Sequence, residues 1–482
     1  MNLTDSFHTR VVLLHSNDIH SRLEHAARIA TLIAEERRSY GSDHVLAVDC
    51  GDHMDRMRVE TEGSDGAVNV ELLNHAGYEV ITLGNNEGLT YSSQIISDAY
   101  RDRAKFSIVC ANMLDSQTGE LPEWLLPSTI VHKNGLRIGL IGATASYTEF
   151  YSLLGWQVTD PFKAVQEQVS KLREHVDVVV VMSHLGINVD KLLAEKIDGI
   201  DLILGAHTHH LLEEPLFIEG TTICAAGKFG EYLGRVEIGI DPISTRPVFR
   251  AAVVPTAALA EHPEAAAIIG SYLKAGQQRL SRVIARLESP LPARAERESP
   301  LGNLLAAGLR RWTDAEIGMV NTGQLLGGLA QGDVTAGELH ALCPSPINPC
   351  LMTIAGMEIR IALEQALLPE FIHKPIKGYG FRGEVLGTLA VDGLTIAYDP
   401  AKPQMSRLTS VSVNGEPLED ERLYRLGTID MFSFKAGYES LANAVQQQYY
   451  LPEFIRDVIA TQLQDPSAII ESRRLRWENR SL

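Results

Sequence analysis

Val11-Val12-Leu13-Leu14-His15-Ser16-Asn17-Asp18-Ile19-His20 reads as a short apolar strand ending in Asp18-x-His20. Alternate residues of an extended chain point to opposite faces, so Asp18 and His20 are expected on one side. A carboxylate and an imidazole so placed can hold a divalent cation between them. Alone the pair says little, because most such pairs are surface polar residues.

Four further stretches repeat the pattern of an apolar run followed by a ligand. Val45-Leu46-Ala47-Val48-Asp49-Cys50 runs into Gly51-Asp52, and Val80-Ile81-Thr82-Leu83 into Gly84-Asn85-Asn86-Glu87. Val178-Val179-Val180-Val181-Met182 runs into Ser183-His184-Leu185-Gly186, and Leu202-Ile203-Leu204 into Gly205-Ala206-His207-Thr208-His209-His210. Parallel sheets collect functional groups at the carboxyl ends of their strands. Five such ends can gather Asp18, His20, Asp52, Asn85, His184, His207 and His209 around one point. So many oxygen and nitrogen donors exceed one tetrahedral ion and suit two ions sharing a carboxylate.

In this order, D-x-H, G-D, G-N-(H)-E, S-H-x-G and G-H-x-H resemble the calcineurin-like metallophosphoesterase superfamily, and within it the 5′-nucleotidase family. The resemblance implies that Asp18, His20 and His209 hold one metal, that Asn85, His184 and His207 hold the other, and that Asp52 bridges them. The implied cofactors are two divalent ions. A donor set of Asp, Asn and His without Cys suits Mn, Zn, Fe or Mg alike.

The 482-residue length favours two domains. A hydrophobic content of 45% and a charged content of 22% are those of a soluble globular protein. The formal net charge of −18 argues against nucleic-acid binding and against an anionic membrane surface. Met1 to Arg10 lacks a basic region and an apolar core, so no secretory signal is read there, and no apolar run approaches a membrane span. Five scattered cysteines fit reduced thiols and a cytoplasmic location.

Along the chain, apolar stripes predict helices over 21–40, 66–76 and 161–175, and Lys133-Asn134-Gly135 a hairpin turn. The segments 223–234 and 236–240 are expected to close the metal-bearing half as an antiparallel pair. Ala257 to Leu287 reads as one long amphipathic helix. Beyond it, Ser299-Pro300-Leu301-Gly302-Asn303-Leu304, Gly332-Asp333-Val334-Thr335 and Pro344-Ser345-Pro346-Ile347-Asn348 resemble segments of the family's C-terminal nucleotidase domain. The expected fold class is therefore α/β. It comprises an N-terminal four-layer αββα metallophosphoesterase sandwich over 1–256, a helical linker over 257–290, and an α+β C-terminal 5′-nucleotidase domain over 291–482.

The same resemblance implies further site residues. Asn112 matches an asparagine near the bound phosphate, although a strand-end turn residue explains it equally well. Asn348 falls in a P-F-x-N-like segment. Phe381 and Phe434 sit where the family places two rings that sandwich a nucleobase, and core packing explains them as readily. Arg382 and Lys435 can supply positive charge.

The match breaks at three places. The family's G-N-H-E-F-D is Gly84-Asn85-Asn86-Glu87-Gly88-Leu89, so its phosphoryl-stabilising or proton-donating histidine is Asn86 and the aspartate that orients it is Leu89. Asn86 is left to act through its amide dipole. A neutral amide donates a hydrogen bond but transfers no proton near neutral pH. His53 or His210 can replace the acid by proximity in sequence, or the substrate carries a good leaving group. The family's loop arginine is Leu326, and the ribose-contacting aspartate is missing beside Lys435-Ala436-Gly437-Tyr438.

The function expected from the resemblance is a dinuclear metal-dependent phosphohydrolase, a 5′-nucleotidase in which an activated hydroxide attacks phosphorus. Asp52, Asn86 and His53 are its expected catalytic residues, and a small phosphorylated molecule of nucleotide type is its partner. The alternatives are a 2′,3′-cyclic-nucleotide phosphodiesterase, a nucleotide pyrophosphatase, or a metal-binding nucleotide sensor with vestigial catalysis.

Overall fold

The computed structural model describes residues 8–480. The stretch read above as carrying no secretory signal lies, over residues 1–7, outside the described residues. The chain forms two compact units, one reaching to Gly276 and one starting at Gln277.

The first unit contains fourteen strands among the described residues. They are β1 (Val11–Ser16), β2 (Val45–Asp49), β3 (Val80–Thr82), β4 (Ser107–Val109), β5 (Met113–Asp115), β6 (Ser128–Lys133) and β7 (Leu136–Thr144). Then come β8 (Trp156–Val158), β9 (Val178–His184), β10 (Leu202–Gly205), β11 (Leu216–Ile218), β12 (Thr221–Cys224), β13 (Tyr232–Ile240) and β14 (Pro247–Pro255). One sheet has the order β14-β13-β1-β2-β3-β4 and a second has β11-β12-β10-β9-β7-β6. Strands β1 to β4 run parallel, with Ser16 opposite Asp49 and Val48 opposite Val80. Strands β7, β9, β10 and β12 run parallel in the second sheet, with Thr144 opposite His184.

These strands are near-continuous apolar runs because both faces are covered, as parallel sheets require. Leu13, Leu46, Val48, Val80, Leu140, Val180, Met182 and Leu204 fill the layer between the sheets. Ile141, Val179, Val181 and Ile203 face the other way, against Val165, Val169 and Leu172 of the helix Pro161–Leu172 and Leu193 of the helix Ile187–Lys196. The helices Leu23–Tyr40 and Ala67–Ala76 pair with each other, and the former packs on β2. The result is the four-layer αββα sandwich.

Two expectations are corrected here. The segments 223–234 and 236–240 do not form an antiparallel pair, because β12 and β13 lie in different sheets. β12 pairs with β10 and β11, and β13 pairs with β1 and β14. Nor is 257–287 one helix. The helix spans Pro263–Leu280, and Val283–Leu287 is a strand paired antiparallel with Gly332–Thr335. Pro263 suits a first helical turn, and the β-branched pair Val283-Ile284 favours an extended chain.

In the second unit a five-stranded sheet runs Leu389–Asp392, Ile317–Asn321, Leu423–Ile429, Pro349–Ala355 and Gln446–Tyr449. The helix Pro300–Trp312 buries Leu301, Leu304, Leu305 and Leu309 against it. Among the described residues no helix is long and apolar enough to cross a membrane.

Candidate metal centre

The expected donors come from the carboxyl ends of β1, β2, β3, β9 and β10. They are not aimed by strand alternation. β1 ends at Ser16, and Asp18 and His20 lie beyond it with φ of 50° and 47°. Asp52, His207 and His209 share this left-handed conformation, with φ of 52°, 70° and 57°. Such backbone is costly for side chains other than glycine and persists only where its surroundings enforce it.

The enforcing contacts are visible. Asp18 N–H donates to the Gly51 carbonyl (3.0 Å), His20 N–H to Asp52 O (2.9 Å) and Ser21 N–H to His53 O (2.9 Å). The loops after β1 and β2 thus continue the sheet's pairing past the strands. Asn17 Nδ2 reaches Gly227 O at 2.7 Å, and its Oδ1 accepts from Ala226 N–H at 3.1 Å. Gly51 and Gly84 interlock. A Cβ on Gly51 would fall on the Gly84 backbone nitrogen, and a Cβ on Gly84 would fall on the Asp52 carboxylate.

Six of the seven expected donors lie atom to atom around one point, and the His207 ring lies beside them. Asp18 Oδ1 lies 3.3 Å from His209 Nε2 and 3.8 Å from His20 Nε2, and the two imidazole nitrogens are 3.2 Å apart. Asp52 turns Oδ2 to His20 Nε2 (3.8 Å) and Oδ1 to His184 Nε2 (3.4 Å). Asn85 Oδ1 stands 3.2 Å from His184 Nε2. The His207 ring centroid is 5.2 Å from that of His184, and Tyr147 Oη is 3.1 Å from His207 Nε2. Asp18, His20 and His209 form one group able to hold an ion, and Asp18, Asp52 and His184 another.

The donors fit divalent cations. Asp18 and Asp52 are buried carboxylates that lie close to one another among imidazoles and amides, and buried charge is costly unless it is compensated. Without an ion the compensation falls to protons. Burial is the largest influence on His184 and acts to lower its pKa, but the Asp52 and Asp18 carboxylates and the Cys50 carbonyl together outweigh it and push the imidazole up to about 10. Burial opposes ionisation of Asp52, and His184 outweighs it, so that carboxyl is held below the ordinary range. Burial, aided by His184, pushes His207 down to about 4. His184 Nδ1–H donates to the Cys50 carbonyl at 2.8 Å, which turns its Nε2 toward Asp52 and Asn85.

Other expected site residues fare differently. Asn86 does not present its amide outward: Nδ2 is spent on His20 Nδ1 (2.9 Å) and Met54 O (3.2 Å). His53 is buried with Nδ1 on Asn69 Nδ2 (3.1 Å), and burial pushes its pKa down to about 3, so it is no proton donor at neutral pH. His210 is exposed, with Nδ1 on Thr208 Oγ1 at 2.9 Å. Asn112 is buried and engaged at both ends of its amide, with Thr144 O and N–H each at 2.9 Å, so it ties two strands instead of facing a phosphate. In the second unit Asn348 Nδ2 caps the Glu453 carbonyl at 2.8 Å. Arg382 N–H donates to Ser345 Oγ at 3.1 Å. Phe381 is buried, and the exposed ring stacked with Phe434 is Tyr379, at a centroid distance of 6.3 Å and an interplanar angle of 23°. Phe381 is thus a packing residue, while the Phe434 ring stacks with Tyr379.

The sequence reading missed Glu87. Its Oε2 accepts from Asp52 N–H (3.0 Å) and Gly84 N–H (2.9 Å), and its Oε1 from Met54 N–H (2.9 Å). One buried carboxylate thus holds the loop that carries Asp52. Its place in the G-N-N-E stretch was the available signal.

Comparison with known proteins agrees with this geometry. Residues 11–211 match the calcineurin-like phosphoesterases and residues 283–443 match the 5′-nucleotidase C-terminal domain. The uncharacterized metallophosphoesterase YunD of Bacillus subtilis is 35% identical over 456 residues, covering 94% of this chain and 98% of that protein. The fold is similar to that of a 5′-nucleotidase precursor from Thermus thermophilus, at TM-score 0.61 and 23% identity, covering 97% of this chain and 99% of the other. It is also similar to the NAD nucleotidase NadN of Haemophilus influenzae, at TM-score 0.68 and 15% identity, covering 97% of each. The chain belongs to the calcineurin-like metallophosphoesterases that carry a 5′-nucleotidase C-terminal domain. It is a phosphoric ester hydrolase.

Proposed function

We propose that the protein is a dinuclear metal-dependent phosphohydrolase that releases phosphate from nucleotides, a 5′-nucleotidase. The observation that carries this reading is Asp52, whose two carboxylate oxygens face the two histidine groups separately. In this reading Asp18, His20 and His209 hold one ion, Asn85, His184 and His207 hold the other, and Asp52 spans both. Two divalent ions, when bound, supply Lewis-acid polarisation of phosphoryl oxygens and water activation near neutral pH. The chain's own residues aim the donors: Glu87 fixes the Asp52 loop, and the Cys50 carbonyl orients His184.

A second reading has a specific basis. Asn86 and Leu89 remove the acid dyad, and general acid catalysis contributes roughly 10²–10⁴-fold. That favours substrates whose leaving group needs little protonation, such as a nucleoside pyrophosphate or a cyclic phosphodiester. We also place the protein in a reducing compartment, the cytoplasm, on the support of five buried free cysteines. Cell fractionation checks this, and recovery outside the cytoplasm refutes it.

The deciding experiment is phosphate release from AMP and from an aryl phosphomonoester by metal-stripped protein given Mn²⁺. Turnover of both supports the nucleotidase. Turnover of the aryl ester alone directs the search to better leaving groups. No turnover of either, with two ions bound, rejects the monoesterase reading.

A further inference from the structure

The outer ring nitrogens of the two best-placed histidines meet opposite chemistry. His184 Nδ1 faces a carbonyl, which is an acceptor. His20 Nδ1 faces the Asn86 amide nitrogen, a donor, at 2.9 Å. The amide cannot simply be turned over. Its Nδ2 is also 3.2 Å from Met54 O, and its Oδ1 receives Asn85 Nδ2 at 3.3 Å. A flip would set oxygen against the Met54 carbonyl and nitrogen against nitrogen at Asn85.

With Asn86 donating, His20 Nδ1 must offer a lone pair, so the ring proton sits on Nε2. Yet Nε2 is the atom that faces His209, Asp18 and Asp52. An ion there needs that lone pair, and the proton then belongs on Nδ1, opposed by the Asn86 N–H. A carboxylate oxygen, Oδ2 of Asp55, also lies beside Nδ1, at 3.7 Å. Asp55 is buried and held on both sides. Its N–H donates to Ser21 Oγ at 2.7 Å, and its Oδ1 accepts from Met57 N–H at 2.9 Å. Oδ2 of the same carboxylate lies on the side of the ring.

We propose that Asp55 is a positioning residue of the metal centre, taking the Nδ1 proton of His20 while Nε2 ligates, with the hydrogen bond passing from Asn86 to Asp55 as the ion enters. The inference rests on His20 being a ligand. A carboxylate behind a ligating imidazole fixes its tautomer and raises its basicity, and losing such a partner costs metal affinity roughly 10–100-fold.

The test is calorimetric titration of metal-stripped full-length protein with Mn²⁺. Asp55→Asn is expected to weaken one of two ions by roughly 10–100-fold and to leave the other near its wild-type affinity. Adding Asn86→Asp, which puts an acceptor beside His20 Nδ1, is expected to recover most of the loss. Wild-type affinity for both ions in Asp55→Asn, or no recovery in the double variant, overturns the proposal. Where Asp55→Asn does not fold, the wild-type protein decides. In Zn²⁺-loaded protein the two-bond ¹⁵N–¹H spectrum should show His20, assigned by its loss in His20→Gln, protonated on Nδ1. A proton on Nε2 overturns the proposal. If wild-type protein binds no ion at all, the metal-centre reading falls with it. Two bound ions with an indifferent Asp55→Asn variant remove Asp55 alone.

Discussion

Replacing Glu87 by glutamine tests how the centre is built. The carboxylate accepts three buried backbone N–H groups, from Asp52, Met54 and Gly84, at 2.9–3.0 Å. Glutamine keeps one acceptor oxygen. If it serves Asp52 and Gly84, the new NH₂ faces the Met54 N–H, and a buried donor is left unmet. Losing one partner of a buried hydrogen bond costs about 1–3 kcal/mol. For a unit of this size each 1 kcal/mol lowers the melting temperature by roughly 2–4 °C. Glu87→Gln should therefore melt roughly 2–12 °C lower in the metal-free state. It should also bind Mn²⁺ more weakly, because Asp52 N–H and Gly84 N–H position the Asp52 carboxylate, the proposed bridge between the ions. The assay is scanning calorimetry of stripped protein followed by Mn²⁺ titration. An unchanged melting temperature together with unchanged Mn²⁺ affinity would refute the claim that this carboxylate organises the loop.

Two further outcomes follow. Gly84→Ala places a methyl on the Asp52 carboxylate, and Gly51 blocks retreat from the other side, so soluble protein should lose metal binding and turnover together; wild-type Mn²⁺ binding in this variant would contradict the packing. In metal-free protein His184 is held up to about 10, above the ordinary histidine value, so the stabilisation it gives is full below pH ~6.5 and is lost as pH climbs through about 10. Asp49, pushed up to about 8 by burial, gives up the stabilisation of its protonated form as pH rises from the ordinary carboxyl range to about 8, and so adds to the decline only up to that pH. Urea unfolding in EDTA should show stability falling from pH 7 to 10, and calorimetry at pH 7 should show proton release on metal binding; a flat stability profile sinks both statements.

The five apolar runs, the donors behind them and the turn at Lys133-Asn134-Gly135 are local patterns, and local patterns survive folding. The long helix over 257–287 failed because apolar spacing continues across Leu280, while the strand Val283–Leu287 exists only through its partner Gly332–Thr335. The segments after Thr221 looked like a hairpin because they adjoin in sequence, yet each found a stronger partner in a different sheet. Asn112 and Phe381 were assigned by position in a motif, and burial with engaged partners gave them structural work instead.

Residue type and order along the chain are enough to nominate the candidate donors, since side-chain chemistry sets which metals can be held, and length is enough to expect two parts, since a single core has a limited size. How those side chains are aimed is set by contacts between distant parts of the chain. Asp18, His20, Asp52, His207 and His209 lie in left-handed backbone that no local preference would choose. They are held there by hydrogen bonds between loops far apart in the chain. The same holds for Glu87 under Asp52 and for Asn86 and Asp55 behind His20, whose partners lie more than thirty residues away. Contacts of that range arise only when the sheet brings strand ends together, and no window of sequence contains them.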